Sequence, residues 1–446
     1  MKWLISALFF IIFPTIVHAW SEDILLHFQP YITIQEEYDS NINLSATNKQ
    51  GDFITTISPG FRFSTTPRSP TTRELRQTPT AEDRYGMDLD FNAGFNFYAK
   101  NHEVNYTSLN GTLNAWYAMT KKLNFRVRDY LIRSDDIREP DYSPTAIPGQ
   151  YLSSRTIKRV PWLRNVFEPS LEYQFGRENI FSINYINNIY NVQSKLYQDS
   201  MANSINPKIV YWFDIRNGVS FEYGLTLGDF QRSPDLIGHM FRGSYTYRFN
   251  PKTSVFANYT QLWRNFEKPR INENPRMDYV VYRPTLGIEH AFSQTLSSKV
   301  EVGYYWSDPA NGSMLGGPSY DVLLTQRAEK TTYTISFQGG YTEDFFTADN
   351  RGFTQSHRAI GRITHQPLRK MTVGLFSSYE WEKYPGSAIG GRKQTNNIWE
   401  IGGNASYELF KWLTLSLQVN YTTNNSNINS ADYSDYRGIF KVTATY

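Results

Sequence analysis

The sequence has no cysteine in its 446 residues, which excludes a disulfide framework, a thiolate metal site and a catalytic thiol. After residue 20 it has no apolar run of the roughly 20 residues that a helical membrane span needs, and its mean hydropathy of -0.51 is too low for a helical membrane protein. It has no dominant charge: 45 basic and 42 acidic side chains leave +3. Near neutrality argues against a nucleic-acid partner and leaves no whole-molecule preference for solutes of one sign. Catalytic signatures are missing too. There is no H-E-x-x-H, no G-x-S-x-G and no Gly-rich phosphate loop, so no enzymatic role, metal or cofactor is expected. His357 and His365 share one face of one strand but stand eight residues apart, near its opposite ends. Asp432 and Asp435 read as a solvated loop rather than a divalent-cation site.

What the chain has is aromatic residues and alternation. Tyr, Phe and Trp number 32, 29 and 10, suited to the two interfacial girdles of a membrane barrel. In the closing stretch, Tyr436, Gly438, Phe440, Val442, Ala444 and Tyr446 fall on one face, and Arg437, Lys441, Thr443 and Thr445 on the other. Period two over this length is a strand whose faces meet different media, and it recurs along almost the whole chain. The expected fold is all-β: a single transmembrane antiparallel β-barrel of about 18–20 strands, apolar side outward and polar side lining the lumen.

Twenty segments carry the pattern: 28–39, 51–64, 84–99, 106–118, 122–132, 164–175, 178–190, 206–215, 218–229, 239–249, 253–264, 280–291, 294–307, 318–327, 331–343, 354–366, 370–382, 396–409, 412–423 and 434–446. Short connections alternate with longer ones, the rhythm of periplasmic turns and extracellular loops. An even count puts both termini in the periplasm. Phe440, Val442 and the terminal Tyr446 resemble the C-terminal signal by which bacterial outer-membrane barrels are recognised for assembly. Residues 1–19, with Lys2, an apolar run and Ala19 at a V-H-A site, read as a secretory signal peptide, so residues 20–446 form the barrel. The expected location is the outer membrane of a Gram-negative bacterium. The expected partners are its lipid and lipopolysaccharide and the barrel assembly machinery.

Two connections stand out. Residues 65–83, rich in Pro and Thr with Arg68, Arg73 and Arg76, are long for a periplasmic turn; they read either as a loose turn or as a docking segment for a periplasmic export component. The loop 133–163 holds four prolines, an acidic start (Asp135, Asp136, Glu139, Asp141) and a basic end (Arg155, Lys158, Arg159); it is the candidate for a lid or inward-folded constriction. The lumen-lining candidates are Arg126, Arg128, Arg242, Arg248, Glu301, Arg358, Arg362, Glu380 and Glu400. Two roles are open for them: pairing across neighbouring strands to stiffen the wall, or selecting a solute by charge.

The opening stretch carries a resemblance. Tyr38-Asp39-Ser40-Asn41, a polar loop, Asp52-Phe53-Ile54-Thr55 and Ser58-Pro59-Gly60 look like the start of the beta-barrel porin 2 family, with Ser40 where an Asp is more usual. Members of that family are often associated with exopolysaccharide secretion. The resemblance therefore implies a passive outer-membrane conduit for exported polysaccharide, with polysaccharide and a periplasmic component as partners. A general diffusion or nutrient-uptake porin, or an adhesin acting through surface loops, is the alternative.

Overall fold

The computed structural model describes residues 28–65, 84–140, 151–155, 159–194, 197–267, 278–310, 314–346, 352–385 and 393–446. The leader at 1–19 and most of the 65–83 segment lie outside the described residues. So do 141–150 and 156–158 of the long loop.

Strands come in the order β1 Phe28–Asp39, β2 Asp52–Ser64, β3 Tyr85–Tyr98, β4 Tyr106–Ala118, β5 Leu123–Ser134, β6 Arg138–Pro140, β7 Tyr151–Arg155, β8 Trp162–Gln174, β9 Ile180–Val192, β10 Ser200–Trp212 and β11 Asn217–Phe230. There follow β12 Leu236–Asn250, β13 Thr253–Phe266, β14 Tyr279–Ala291, β15 Leu296–Pro309, β16 Leu315–Arg327, β17 Thr331–Asp344, β18 Gly352–Leu368, β19 Met371–Tyr384, β20 Gln394–Phe410, β21 Leu413–Ser426 and β22 Tyr433–Thr445. Twenty of them form one antiparallel sheet in which each strand pairs with its sequence neighbours; β6 and β7 make a separate hairpin inside the β5–β8 connection. The sheet closes where β1 meets β22, from Tyr31↔Thr445 to Asp39↔Arg437. Closure leaves no free edge for the sheet as a whole, and this many strands enclose a lumen rather than a packed core.

The alternation read from the sequence is the alternation of the wall. Phe53, Ile57, Phe95, Phe97, Phe221, Leu227, Leu286, Val302, Leu375, Ile401, Leu417 and Phe440 are exposed on the outside. Aromatic pairs ring it near both ends. Tyr211–Phe213, Tyr247–Phe249 and Phe410–Trp412 lie by the rim that carries the termini, and Tyr38–Phe53, Tyr379–Trp399 and Tyr421–Tyr436 lie towards the other. At the terminal rim the turns are short, from two residues at 251–252 to five at 175–179, the connection 65–84 excepted.

At the opposite rim the loops fold inward, and the buried apolar clusters sit there. Ile132, Trp162, Tyr190, Val192 and Tyr197 form one, Ile42, Ile54 and Tyr98 another, and Phe230, Leu236 and Phe345 a third. The largest departure from the expected bounds of a wall strand is at β10, which begins at Ser200, six residues before the predicted start. Its outward Asn203 interrupts the apolar row there and instead accepts from Tyr185 Oη (2.6 Å) and Asn187 Nδ2 (2.9 Å) on β9.

Candidate functional site

A recess on the lumen wall forms a pocket of about 460 Å³ against β22, β1, β2, β3 and β4. Register builds it row by row. Tyr31, Gly60, Asn92 and Asn110 are consecutive partners across β1–β4, and Thr443, Thr33 and Ser58 across β22, β1 and β2. Arg62 stands opposite Asp90 and donates Nε to its Oδ2 (2.8 Å), while Tyr31 donates its hydroxyl to Oδ1 (2.7 Å). The guanidinium of Arg62 lies 4.6 Å from the Tyr31 ring centroid. Gly60 is required here. A Cβ at that position would stand 2.6 Å from the Tyr31 ring and 2.7 Å from the Phe91 carbonyl oxygen.

The rest of the lining is uncharged and polar: Gln35, Thr56, Asn96, Ser108 and Thr112, with Lys441 as the one further charge. These groups are in mutual contact. Asn110 Nδ2 donates to Asn92 Oδ1 (3.2 Å), Thr56 Oγ1 to Asn96 Oδ1 (2.9 Å) and Asn96 Nδ2 to Ser108 Oγ (3.2 Å). Hydroxyls and carboxamides both donate and accept. A solute rich in hydroxyls can exchange hydrogen bonds with such a wall without meeting a tight charged site.

Above the pocket the long 133–163 connection enters the lumen. Arg138, at the start of β6, reaches from the β5–β8 side to the β22–β1 seam and contacts Asp435 Oδ2 (2.7 Å), Asp39 Oδ2 (3.0 Å) and Asp136 Oδ1 (3.4 Å). Arg138 and both seam carboxylates are buried. Arg159 donates to the Ile42 carbonyl (2.9 Å) and Trp162 Nε1 to the Asp136 carbonyl (2.7 Å). Burial works against charge on Asp136, but Arg138 and Arg159 beside it outweigh that and hold its carboxyl below the usual range. Next to this corner Arg437 donates from Nη2 (2.7 Å) and Nε (2.8 Å) to Glu37 Oε1. Asp435 is thus the partner of an arginine, and Asp432 accepts the Ser426 N–H at 2.6 Å.

The residues named in the sequence as lumen-lining stand on the inner face but do not converge. Arg128 pairs with Glu168 (2.8 Å), Arg242 with Glu222 (3.6 Å) and Arg358 with Glu380 (3.8 Å), each across adjacent strands. Arg248 pairs with Glu178 (2.7 Å) and stacks 3.5 Å over Trp212. Glu301 accepts from Thr285 Oγ1 (2.6 Å) and Asn258 Nδ2 (3.2 Å) and lies 3.8 Å from Lys299. Glu400 stands opposite Ser378. Among the described residues Arg126 and Arg362 have no ion-pair partner.

Phe440 is exposed on the outer wall, Val442 shares its face, and Tyr446 is 98% exposed. His357 faces outward, stacked on Tyr320, and His365 bonds to Thr331 at the far end of the strand. Sequence reading missed the pocket as a unit, because its rows join residues far apart in sequence that only strand register brings together.

An all-antiparallel closed barrel with an apolar, aromatic-girdled exterior and a polar lumen is an outer-membrane, porin-like β-barrel. Residues 231–446 match the family model described as "Putative beta-barrel porin 2". The match covers β12–β22, whereas the resemblance read from the sequence lies in β1 and β2. Solved structures that are similar include Acinetobacter baumannii OccAB4 (TM-score 0.44, 11% identity, 94% of this chain and 98% of that one) and Pseudomonas aeruginosa OprD (0.41, 10%, 94% and 95%). The siderophore receptor PirA from Acinetobacter baumannii gives 0.49 and 7%, covering 94% of this chain and 80% of that one. At these scores nothing is drawn from them. No curated protein matches the chain.

Proposed function

We propose that this barrel is a passive outer-membrane conduit for exported exopolysaccharide, with both termini on the periplasmic side after removal of a leader near Ala19. The observation that carries the reading is the pocket against β22 and β1–β4, whose lining is mostly hydroxyl and carboxamide with Arg62 already engaged by Asp90. A conduit for a polymer needs weak contacts at many sites, since one tight site would stall the chain. The family associated with residues 231–446 supports the same reading. A general diffusion or uptake porin is the second reading. It is favoured by the cross-strand ion pairs, which leave a lumen of mixed charge open to small solutes of either sign.

The test is single-channel conductance of the refolded, leader-free protein in a planar bilayer, with neutral oligosaccharides added on the terminal side. Brief, concentration-dependent interruptions that weaken when Asn92 and Asn110 are replaced by Ala are expected. Steady current that ignores the sugars would leave the small-solute porin as the better reading.

A further inference from the structure

The outer wall is not apolar all the way round. On β5, β8, β9 and β10 the odd-numbered residues face outward: Tyr173, Phe181 and Ile205 are exposed there, whereas Arg128 and Glu168 turn inward. That outward face carries Asp129, Asn165, Asn187 and Asn203. Asp129, Phe167, Asn187 and Asn203 are consecutive partners in one row, with Leu113 before them on β4 and Leu227 after them on β11. Val127 and Leu131 flank Asp129 on its own strand, and Met201 and Ile205 flank Asn203. The group therefore stands within the lipid-facing belt and not beyond its rim.

A charged or strongly polar side chain aimed at hydrocarbon is costly unless a partner meets it. Among the described residues these four are only partly met. Asn165 uses both of its N–H bonds, one to Asp129 Oδ1 (2.7 Å) and one to the Tyr130 carbonyl (3.1 Å), and its own Oδ1 stays open. Asn203 accepts twice at Oδ1, from Tyr185 and Asn187, and its Nδ2 stays open. Asp129 Oδ2 is open as well.

Open acceptors thus stand on the β5–β8 side of β9 and open donors on the β10 side. Asn165 is nine residues above Gln174, and Asn203 nine above Trp212, the turn-side ends of their strands. The two are therefore at equal height. A second copy in the same membrane stands the same way up, and a two-fold axis along the membrane normal preserves height. Passed through β9, that axis sets Asn203 Nδ2 of each copy against Asn165 Oδ1 of the other and Asn187 beside Asn187. It also brings Asp129, six residues above Leu123, opposite the outward Tyr223, six above Asn217. Lipid offers no such match: acyl chains have no donors, and headgroup phosphates lie above the belt and are repelled by Asp129.

We propose that the β8–β10 face is a self-complementary interface through which two copies of this barrel pair side by side in the membrane. One patch that carries both halves of the match is what a two-fold contact requires.

Because the chain has no cysteine, the residue nearest the axis can be probed directly. Asn187→Cys, oxidised with copper–phenanthroline in intact outer membranes, should give a thiol-reversible band of twice the chain mass. Leu375→Cys, exposed on β19 across the barrel, should stay monomeric. Asn165→Leu/Asn203→Leu should lower the dimer fraction several-fold in sedimentation velocity of the detergent-extracted protein, with the heat-dependent gel shift of folded barrels unchanged. If that double variant does not fold, the single cysteines decide by themselves. A folded Asn187→Cys barrel that stays monomeric, that joins a different protein, or that dimerises no more than Leu375→Cys would overturn the paired barrel.

Discussion

Arg138 shows how one side chain can set the shape of the mouth. It leaves the β5–β8 connection and ends between Asp39 and Asp435 on the far side of the seam, so removing its charge leaves two buried carboxylates without their cation. Breaking a buried pair from one side costs about 3–5 kcal/mol. Arg138→Leu should therefore release the loop and raise conductance while the barrel still shows its gel shift. Unchanged conductance would mean that the loop is held elsewhere.

Acid should act in the same direction. Asp136, whose carboxyl is held low despite burial by Arg138 and Arg159, contributes fully above the ordinary carboxylate value of about 4. That contribution fades as pH falls from there towards its lowered folded value. Conductance should rise on acidification through that window. In Asp136→Asn protein, conductance should already be raised at neutral pH and the acid step should shrink. An identical step in the variant would remove Asp136 from the account.

At the scale of the strand, the C-terminal element separates assembly from stability. Tyr446 is almost fully exposed and contributes to the closed sheet one backbone bond, from its N–H to the Pro30 carbonyl at 2.9 Å, worth about 1 kcal/mol. Deleting it should leave refolding in detergent and thermal stability close to the parent, yet reduce the folded fraction recovered in outer membranes several-fold. Equal recovery would argue against a role for Tyr446 in recognition by the assembly machinery.

The twenty wall strands were legible because each has water on one side and an apolar medium on the other, which writes period two into the residues; the β6–β7 hairpin inside the β5–β8 connection was read as part of a loop. The exceptions are physical. At β10 the outward Asn203 breaks the apolar row. At β17 the alternation read through Gly340 places Tyr341 and Glu343 outside, whereas the turn of the backbone there brings both inside. The pocket was hidden for a related reason: its rows join residues far apart in sequence, such as Thr33 and Thr443 across the seam, and only register shows them together. The motif that suggested a family in the opening has structural roles. Asp39 receives Arg138, Asn41 bonds to the Ser45 and Ser434 carbonyls, and Gly60 makes room for Tyr31.

For the whole molecule, the ion pairs decide which charges a passing solute feels. Arg62, Arg128, Arg242, Arg358 and Arg437 each face a carboxylate on the next strand, so their fields largely cancel a few ångströms into the water. Arg362 does not: it stands on the inner wall of β18 opposite Thr334 and Phe376, with no ion-pair partner among the described residues. Arg358, four residues nearer the loops, has Glu380 as its opposite number. Reversing Arg358 to Glu would set two carboxylates side by side, where mutual repulsion raises the affinity of one for a proton and dilutes the change in charge. Reversing Arg362 to Glu meets no such neighbour and should deliver its full change to the lumen. Both variants should move the reversal potential in a salt gradient towards cations, Arg362→Glu by the larger amount. The difference should grow at low ionic strength, where the screening length exceeds the roughly 10 Å of 0.1 M salt. Equal shifts would mean that the Arg358–Glu380 contact does not persist in the conducting state, and no shift in either would take both side chains out of the conducting path.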